Sequence, residues 1–123
     1  MIKQICNTVM ALLLIGSAFS VQAKEAYIGQ FLYQYKAGNV YRVTAKDSKT
    51  MLWECIKGDE VGAKGEETPQ RFKVSKHVFY ATWVEKTGVQ VSQVVDFKGM
   101  KVYSTIIAGK DRYVLEGAVV REK

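Results

Sequence analysis

Between residues 31 and 121 the chain runs in short stretches where apolar, β-branched and aromatic residues alternate with polar ones. A period of two puts successive side chains on opposite faces of a strand, and no stretch carries helical spacing. The pattern predicts eight strands, over 31–36, 40–45, 50–56, 70–74, 77–84, 89–97, 101–108 and 112–121. Between them lie Ala37-Gly38-Asn39, Lys46-Asp47-Ser48-Lys49, Ser75-Lys76, Lys86-Thr87-Gly88, Lys98-Gly99 and Gly109-Lys110-Asp111. These have the composition and length of hairpin turns, so consecutive strands are expected to pair antiparallel as a meander.

The exception is 57–69, a polar stretch with Gly58, Gly62, Gly65 and the acidic residues Asp59, Glu60, Glu66 and Glu67. It is long for a hairpin loop and reads as either a lid or rim, or a solvated connector. Eight antiparallel strands would leave two sheet edges exposed, and closing the sheet removes both. The expected fold is therefore all-β, a single eight-stranded antiparallel up-and-down barrel, with a two-layer sandwich as the alternative. A barrel of this size is either filled by side chains or holds one small ligand.

The first residues follow another rule. Lys3, the apolar run 9–15 and the small-residue site Val21-Gln22-Ala23 together form the three parts of a secretory signal peptide. The run is too short to span a bilayer, which takes about 20 apolar residues, so no membrane anchor is expected after cleavage. Cleavage after Ala23 removes 23 of 123 residues and leaves a barrel domain of 100, over 24–123, destined for the periplasm or the exterior. Cys6 leaves with the signal, so Cys55 has no intramolecular disulfide partner and reads as a small apolar residue in a strand.

Composition excludes more than it suggests. Hydrophobic residues make up 48% and there is one Pro, which fits a folded domain and not a disordered one. The formal charge of +6, or +5 without Lys3, comes from basic residues scattered singly, which argues against a nucleic-acid partner. No phosphate-binding loop, dinucleotide fingerprint or zinc-protease motif is present, and Gly62-Ala63-Lys64-Gly65 lacks the helices that would make it a nucleic-acid clamp. His77 is the only histidine and has no companions spaced for a triad or a metal site, so neither a metal nor a cofactor is expected.

Polar residues within apolar strands are the candidates for chemistry: Arg42, Glu54, Glu85, Asp96, Arg112 and Glu116. A carboxylate inside an apolar lumen has its pKa raised unless it is paired, whereas one facing water does not. Tyr41, Trp53, Trp83 and Tyr103 are candidate lumen walls, and Glu54, Glu85 and Arg112 candidate polar anchors; the choice of strand face decides between them. Large apolar groups on both faces of the strand at 77–84 also raise a subunit contact, hence a homodimer.

The order of motifs resembles the MoaF-like family: Thr50-Met51-Leu52-Trp53-Glu54, the Gly58 to Gly65 loop, Val78-Phe79-Tyr80-Ala81-Thr82-Trp83-Val84-Glu85, Val94-Val95-Asp96-Phe97, Val102-Tyr103-Ser104-Thr105 and Leu115-Glu116-Gly117. The resemblance implies a lipocalin-like (calycin-like) small barrel, similar in fold to the phenolic acid decarboxylases, with Trp83, Glu85, Asp96 and Phe97 as the most recognisable pair of motifs. The family's name derives from an association with molybdenum cofactor biosynthesis. An export signal sits poorly with a cytoplasmic role there, and no decarboxylase motif carries over. Three functions follow as expectations: a lumen binding a small, partly apolar ligand; an acid/base enzyme acting on an aromatic or carboxylate substrate; and a protein-interaction or inhibitor module working through its loops.

Overall fold

The computed structural model describes residues 28–122. The expected signal peptide at 1–23, its cleavage site and Cys6 lie outside the described residues. Nine strands follow one another without a helix among the described residues: β1 (Gly29–Tyr35), β2 (Val40–Ala45), β3 (Met51–Lys57), β4 (Lys64–Glu67), β5 (Gln70–Ser75), β6 (Val78–Val84), β7 (Gln90–Asp96), β8 (Lys101–Ala108) and β9 (Asp111–Glu122). They form one antiparallel sheet in the order β4-β3-β2-β1-β9-β8-β7-β6-β5, curled so that the first and last strands pair, Gln30 opposite Glu122 and Tyr35 opposite Gly117. Gly117 is required there, because a Cβ would sit 2.6 Å from the Gln34 carbonyl oxygen.

The barrel-like all-β fold matches the expectation, with nine strands in place of eight. The added strand is β4, inside the polar stretch 57–69. Its sequence Lys-Gly-Glu-Glu offers no alternation of apolar and polar residues; its backbone ladder to β3, from Glu54 opposite Lys64 to Met51 opposite Glu67, defines it instead. Thr68 and the buried Pro69 separate β4 from β5, and the chain changes partner there, from β3 to β6. Proline suits a break of this kind, since it has no N–H to give to a ladder.

Closure therefore differs from a fully laddered barrel: β4 and β5 are the two ends of the sheet and do not pair with each other. A side chain bridges part of the gap. Arg71 on β5 donates from Nη1 to the Asp47 carbonyl oxygen at 2.6 Å and from Nη2 to that of Thr50 at 3.5 Å, both on the β2–β3 connection.

One phase of each strand faces inward. Phe31, Tyr33, Tyr35, Val43, Ala45, Met51, Phe79, Val95, Val102 and Val119 form the buried core, with Tyr41, Trp53, Trp83, Phe97, Met100 and Leu115 packed on it. Full burial of a side chain such as Phe31 or Phe79 is worth about 1.5–3 kcal/mol against exposure. At one end of the curl Phe97 meets Phe31 and Phe79 at ring distances of 5.1 and 5.8 Å, and Arg121 lies over Phe31 at 5.0 Å. Cys55 is also in the interior, 1% exposed, with its Sγ–H directed at the Lys57 carbonyl oxygen. A polar group sits within the core as well: the Tyr35 hydroxyl is 2.6 Å from Ser104 Oγ and accepts from Gln93 Nε2 at 3.3 Å.

Candidate functional site

The end of the curl opposite Arg121 collects aromatic and acidic side chains from four segments. On β2, Tyr41 points inward because it shares the phase of Val43 and Ala45, and its ring meets Tyr35 edge-on at 5.9 Å and Trp53 at 6.1 Å. Its hydroxyl donates to Glu60 Oε1 at 2.5 Å and accepts from Asn39 Nδ2 at 3.3 Å. Burial, reinforced by the hydrogen bond to Glu60, holds this phenol well above its ordinary pKa of 10.0.

Trp53 stands opposite Gly65, and its indole Nε1–H donates to Glu67 Oε2 at 2.9 Å. Glu67 is a buried carboxylate, and a charged acceptor strengthens this bond. Gly65 makes the arrangement possible: a Cβ there would lie 2.7 Å from Trp53 Nε1 and 2.9 Å from Glu67 Oε2.

Trp83 and Glu85 approach from β6 and the residues just after it. Trp83 packs on the core and donates from Nε1 to Glu85 Oε2 at 3.4 Å. Desolvation raises the Glu85 pKa above 4.5; the Trp83 bond opposes this, and the charges of Glu67 and Glu60 add to it. Three carboxylates thus share one electrostatic neighbourhood.

The break in the sheet gives this neighbourhood an opening. Beyond the pairing of Gln70 with Thr82, the end of β6 is paired with β7 alone and has no strand partner on its β5 side. The resulting cleft of about 550 Å³ is lined on one side by Glu66, Glu67, Thr68 and Gln70, and on the other by 82–86, including Trp83, Glu85 and Lys86. Its volume is within the range of small-molecule sites, roughly 300–1,000 Å³.

Of the residues proposed for the lumen, Trp83 and Glu85 line this cleft, while Tyr41 and Trp53 pack against each other on the inward face and Trp53 reaches the cleft's edge only through its bond to Glu67. Glu54, Tyr103 and Arg112 do neither, because each occupies the outward phase of its strand. Glu54 is 3.9 Å from Arg42, which binds Glu122 more closely at 2.8 Å, and this surface network borders a second, outward cleft of about 440 Å³. Tyr103 continues a row across the outer face with Phe72, the half-buried Tyr80 and Val94, each opposite the next in register. Arg112 is exposed near the β8–β9 turn, and Glu116 pairs on the surface with Lys36 at 3.0 Å.

Asp96 and Phe97 lie at the opposite end of the β6–β7 pair from Trp83 and Glu85. Asp96 accepts from the Lys98 and Gly99 amides, both at 2.9 Å, which ties the β7–β8 turn and holds its carboxyl below the ordinary range. His77 is exposed at the β5–β6 turn, and no group of three or more His, Cys, Asp or Glu among the described residues is placed to hold a metal.

Glu60 and Glu67 stand in the sequence only as acidic residues of the polar stretch 57–69, whose lack of strand periodicity kept them out of the candidate site residues. Gln93 left a clearer trace: it breaks the inward apolar phase of Val91 and Val95. No helix among the described residues is long and apolar enough to cross a membrane.

These features define a curled, barrel-like all-β protein with an aromatic and acidic opening where strand pairing is interrupted. The chain belongs to the MoaF-like family, whose model matches residues 29–120. Curated proteins yielded no match. Among solved structures, the chain is similar to a Burkholderia vietnamiensis protein described as a "putative beta-lactamase", with 20% identity and a TM-score of 0.73 over 76% of this chain and 92% of that one. At that identity the likeness concerns the fold.

Proposed function

We propose that this MoaF-like protein is exported and binds a small, partly apolar ligand at the opening between β4 and the end of β6. The cleft itself carries the reading: indole and carboxylate side chains converge where the sheet leaves two strand edges unpaired, in a volume suited to a small molecule. The core beneath is filled by Phe31, Tyr33 and Phe79, which favours a ligand held at the mouth over one enclosed in the centre. Export rests on the signal-like residues 1–23.

Native mass spectrometry of protein recovered from the periplasmic or secreted fraction, compared with the same sample denatured, tests both parts. The expected result is a polypeptide beginning at Lys24 with a bound small molecule in defined stoichiometry, lost in a folded Trp83→Ala variant. An intact N-terminus refutes export. A ligand retained by the variant refutes this location. The same spectra report a homodimer, for which the outer-face row of Phe72, the half-buried Tyr80, Val94 and Tyr103 offers a surface.

A further inference from the structure

We infer that the cleft takes a short extended peptide, laid in as an added strand with a basic side chain directed inward. The inference rests on the proposed reading of the cleft as a ligand site and gives that ligand a chemical class. Its first ground is topology. Nine strands in one row, each antiparallel to its neighbours, leave the outermost two, β4 and β5, running in the same direction. Parallel strands lie side by side only when a crossover of about a dozen residues or more joins them. Thr68 and Pro69 are the whole of this connection. β4 and β5 therefore follow one another end to end and cannot seal the sheet between them.

The second ground is the backbone along the opening. The Glu85 N–H bonds to the Val89 carbonyl, so alternation along the strand turns the N–H and C=O of Val84 away from β7. The β5 ladder stops at Thr82 and leaves them without a strand partner among the described residues. On β4 the Ala63 carbonyl accepts from the Cys55 N–H, and the same alternation turns the backbone groups of Glu66 away from β3, to the side where the sheet ends. Unpaired strand edges are templates for a further strand, and their main-chain bonds supply the affinity of strand addition. An extended residue takes about 160 Å³, from a rise of about 3.3 Å, a strand spacing of about 4.8 Å and a layer thickness of about 10 Å. The cleft of about 550 Å³ thus has room for roughly three to four residues.

Charge complementarity names the side chain. The chain carries a formal +6, yet Glu66, Glu67 and Glu85 line the cleft against one cation, the exposed Lys86. Alternate side chains of an added strand face inward, toward Trp83, Glu67 and Glu85. A lysine or arginine there lays its aliphatic stem along the indole and brings its charged head to the carboxylates. Because the chain as a whole is positive, that attraction belongs to the cleft.

Blocked tripeptides titrated at neutral pH against intrinsic tryptophan fluorescence test the inference: acetyl-Val-Lys-Val-amide, its glutamine and glutamate counterparts, and the lysine peptide with its backbone nitrogens methylated. The lysine peptide is expected to bind at least about tenfold more tightly than each of the other three, a difference of about 1.4 kcal/mol. Val84→Pro removes an N–H that faces away from β7 and so spares that ladder, as proline does on strand edges. It is expected to weaken the lysine peptide at least about tenfold, with the circular dichroism of the parent. Glu85→Gln is expected to bring the lysine peptide to within about threefold of the glutamine one, since the charge-assisted contact is removed. A methylated peptide that binds as tightly as its parent, or a folded Val84→Pro variant of undiminished affinity, overturns strand addition. A glutamine or glutamate peptide that binds as tightly as the lysine one overturns the basic class. If no peptide binds up to about 1 mM, the whole inference is overturned, and the small-molecule stoichiometry in the native mass spectra decides separately whether the ligand site stands.

Discussion

Gly65→Ala adds one methyl group at the tightest point of the site. The new Cβ would fall 2.7 Å from Trp53 Nε1 and 2.9 Å from both Trp53 Cε2 and Glu67 Oε2, well inside van der Waals contact. Either the indole or the carboxylate must move, and the 2.9 Å hydrogen bond between them is lost in the movement. Overpacking costs about 1–3 kcal/mol, and a hydrogen bond to a charged group about 1.5–3 kcal/mol. One displacement relieves the first by breaking the second, so the two do not simply add, and the expected loss is about 2–4 kcal/mol. In a domain of this size that lowers Tm by about 10–20 °C. Thermal unfolding followed by circular dichroism measures it, with the tryptophan emission maximum as a local probe. In a Trp53→Phe background, which lacks both the N–H and the indole atoms that clash, Gly65→Ala should cost less than about 1 kcal/mol. An unchanged Tm in the single variant, or the full cost persisting in the Phe background, would refute the assignment of Gly65 as the residue that admits the Trp53–Glu67 contact.

Two further outcomes follow from the same geometry. Glu85 has a raised pKa in the folded state, so the stability linked to its protonated form is present below the ordinary value of 4.5 and is lost as pH rises through the folded value. Glu85→Gln should therefore be at least as stable as the parent at neutral pH, with the difference vanishing at pH 4 and below; urea titrations across that window check the sign. Arg71→Gln removes the hydrogen bonds to the Asp47 and Thr50 carbonyls, and should cost about 1–2 kcal/mol while speeding amide exchange in β4 and β5 more than in β8 and β9.

The ladder-forming strands were legible because their alternation reflects a physical division between core and water. Val40–Ala45 and Lys101–Ala108 coincide with the predicted spans. β4 was not legible, because backbone pairing with β3 requires no side-chain pattern, and Lys64, Gly65, Glu66 and Glu67 have none. The site was half readable for a related reason. Tyr41, Trp53, Trp83 and Glu85 stood out as polar or aromatic residues within strands, but period-two alternation does not say which phase is inside, so Glu54, Tyr103 and Arg112 were equally plausible lumen residues and lie outside. The decisive partner Glu67 depends on a change of strand partner at Thr68 and Pro69, a tertiary event that local periodicity does not encode.

The pairing of β1 with β9 has a kinetic meaning. Of the eight ladders among the described residues, seven join strands adjacent in sequence, and each closes a short loop. The eighth brings Gln30 to Glu122 across 92 residues. Short loops close at little entropic expense and long ones at more, and folding slows as contacts become less local. Two meanders, β1 to β4 and β5 to β9, can therefore assemble from local contacts alone, leaving a single search in which one edge must find another. The barrier to folding is concentrated in that one meeting, and until it happens both edges remain open to strands of neighbouring chains.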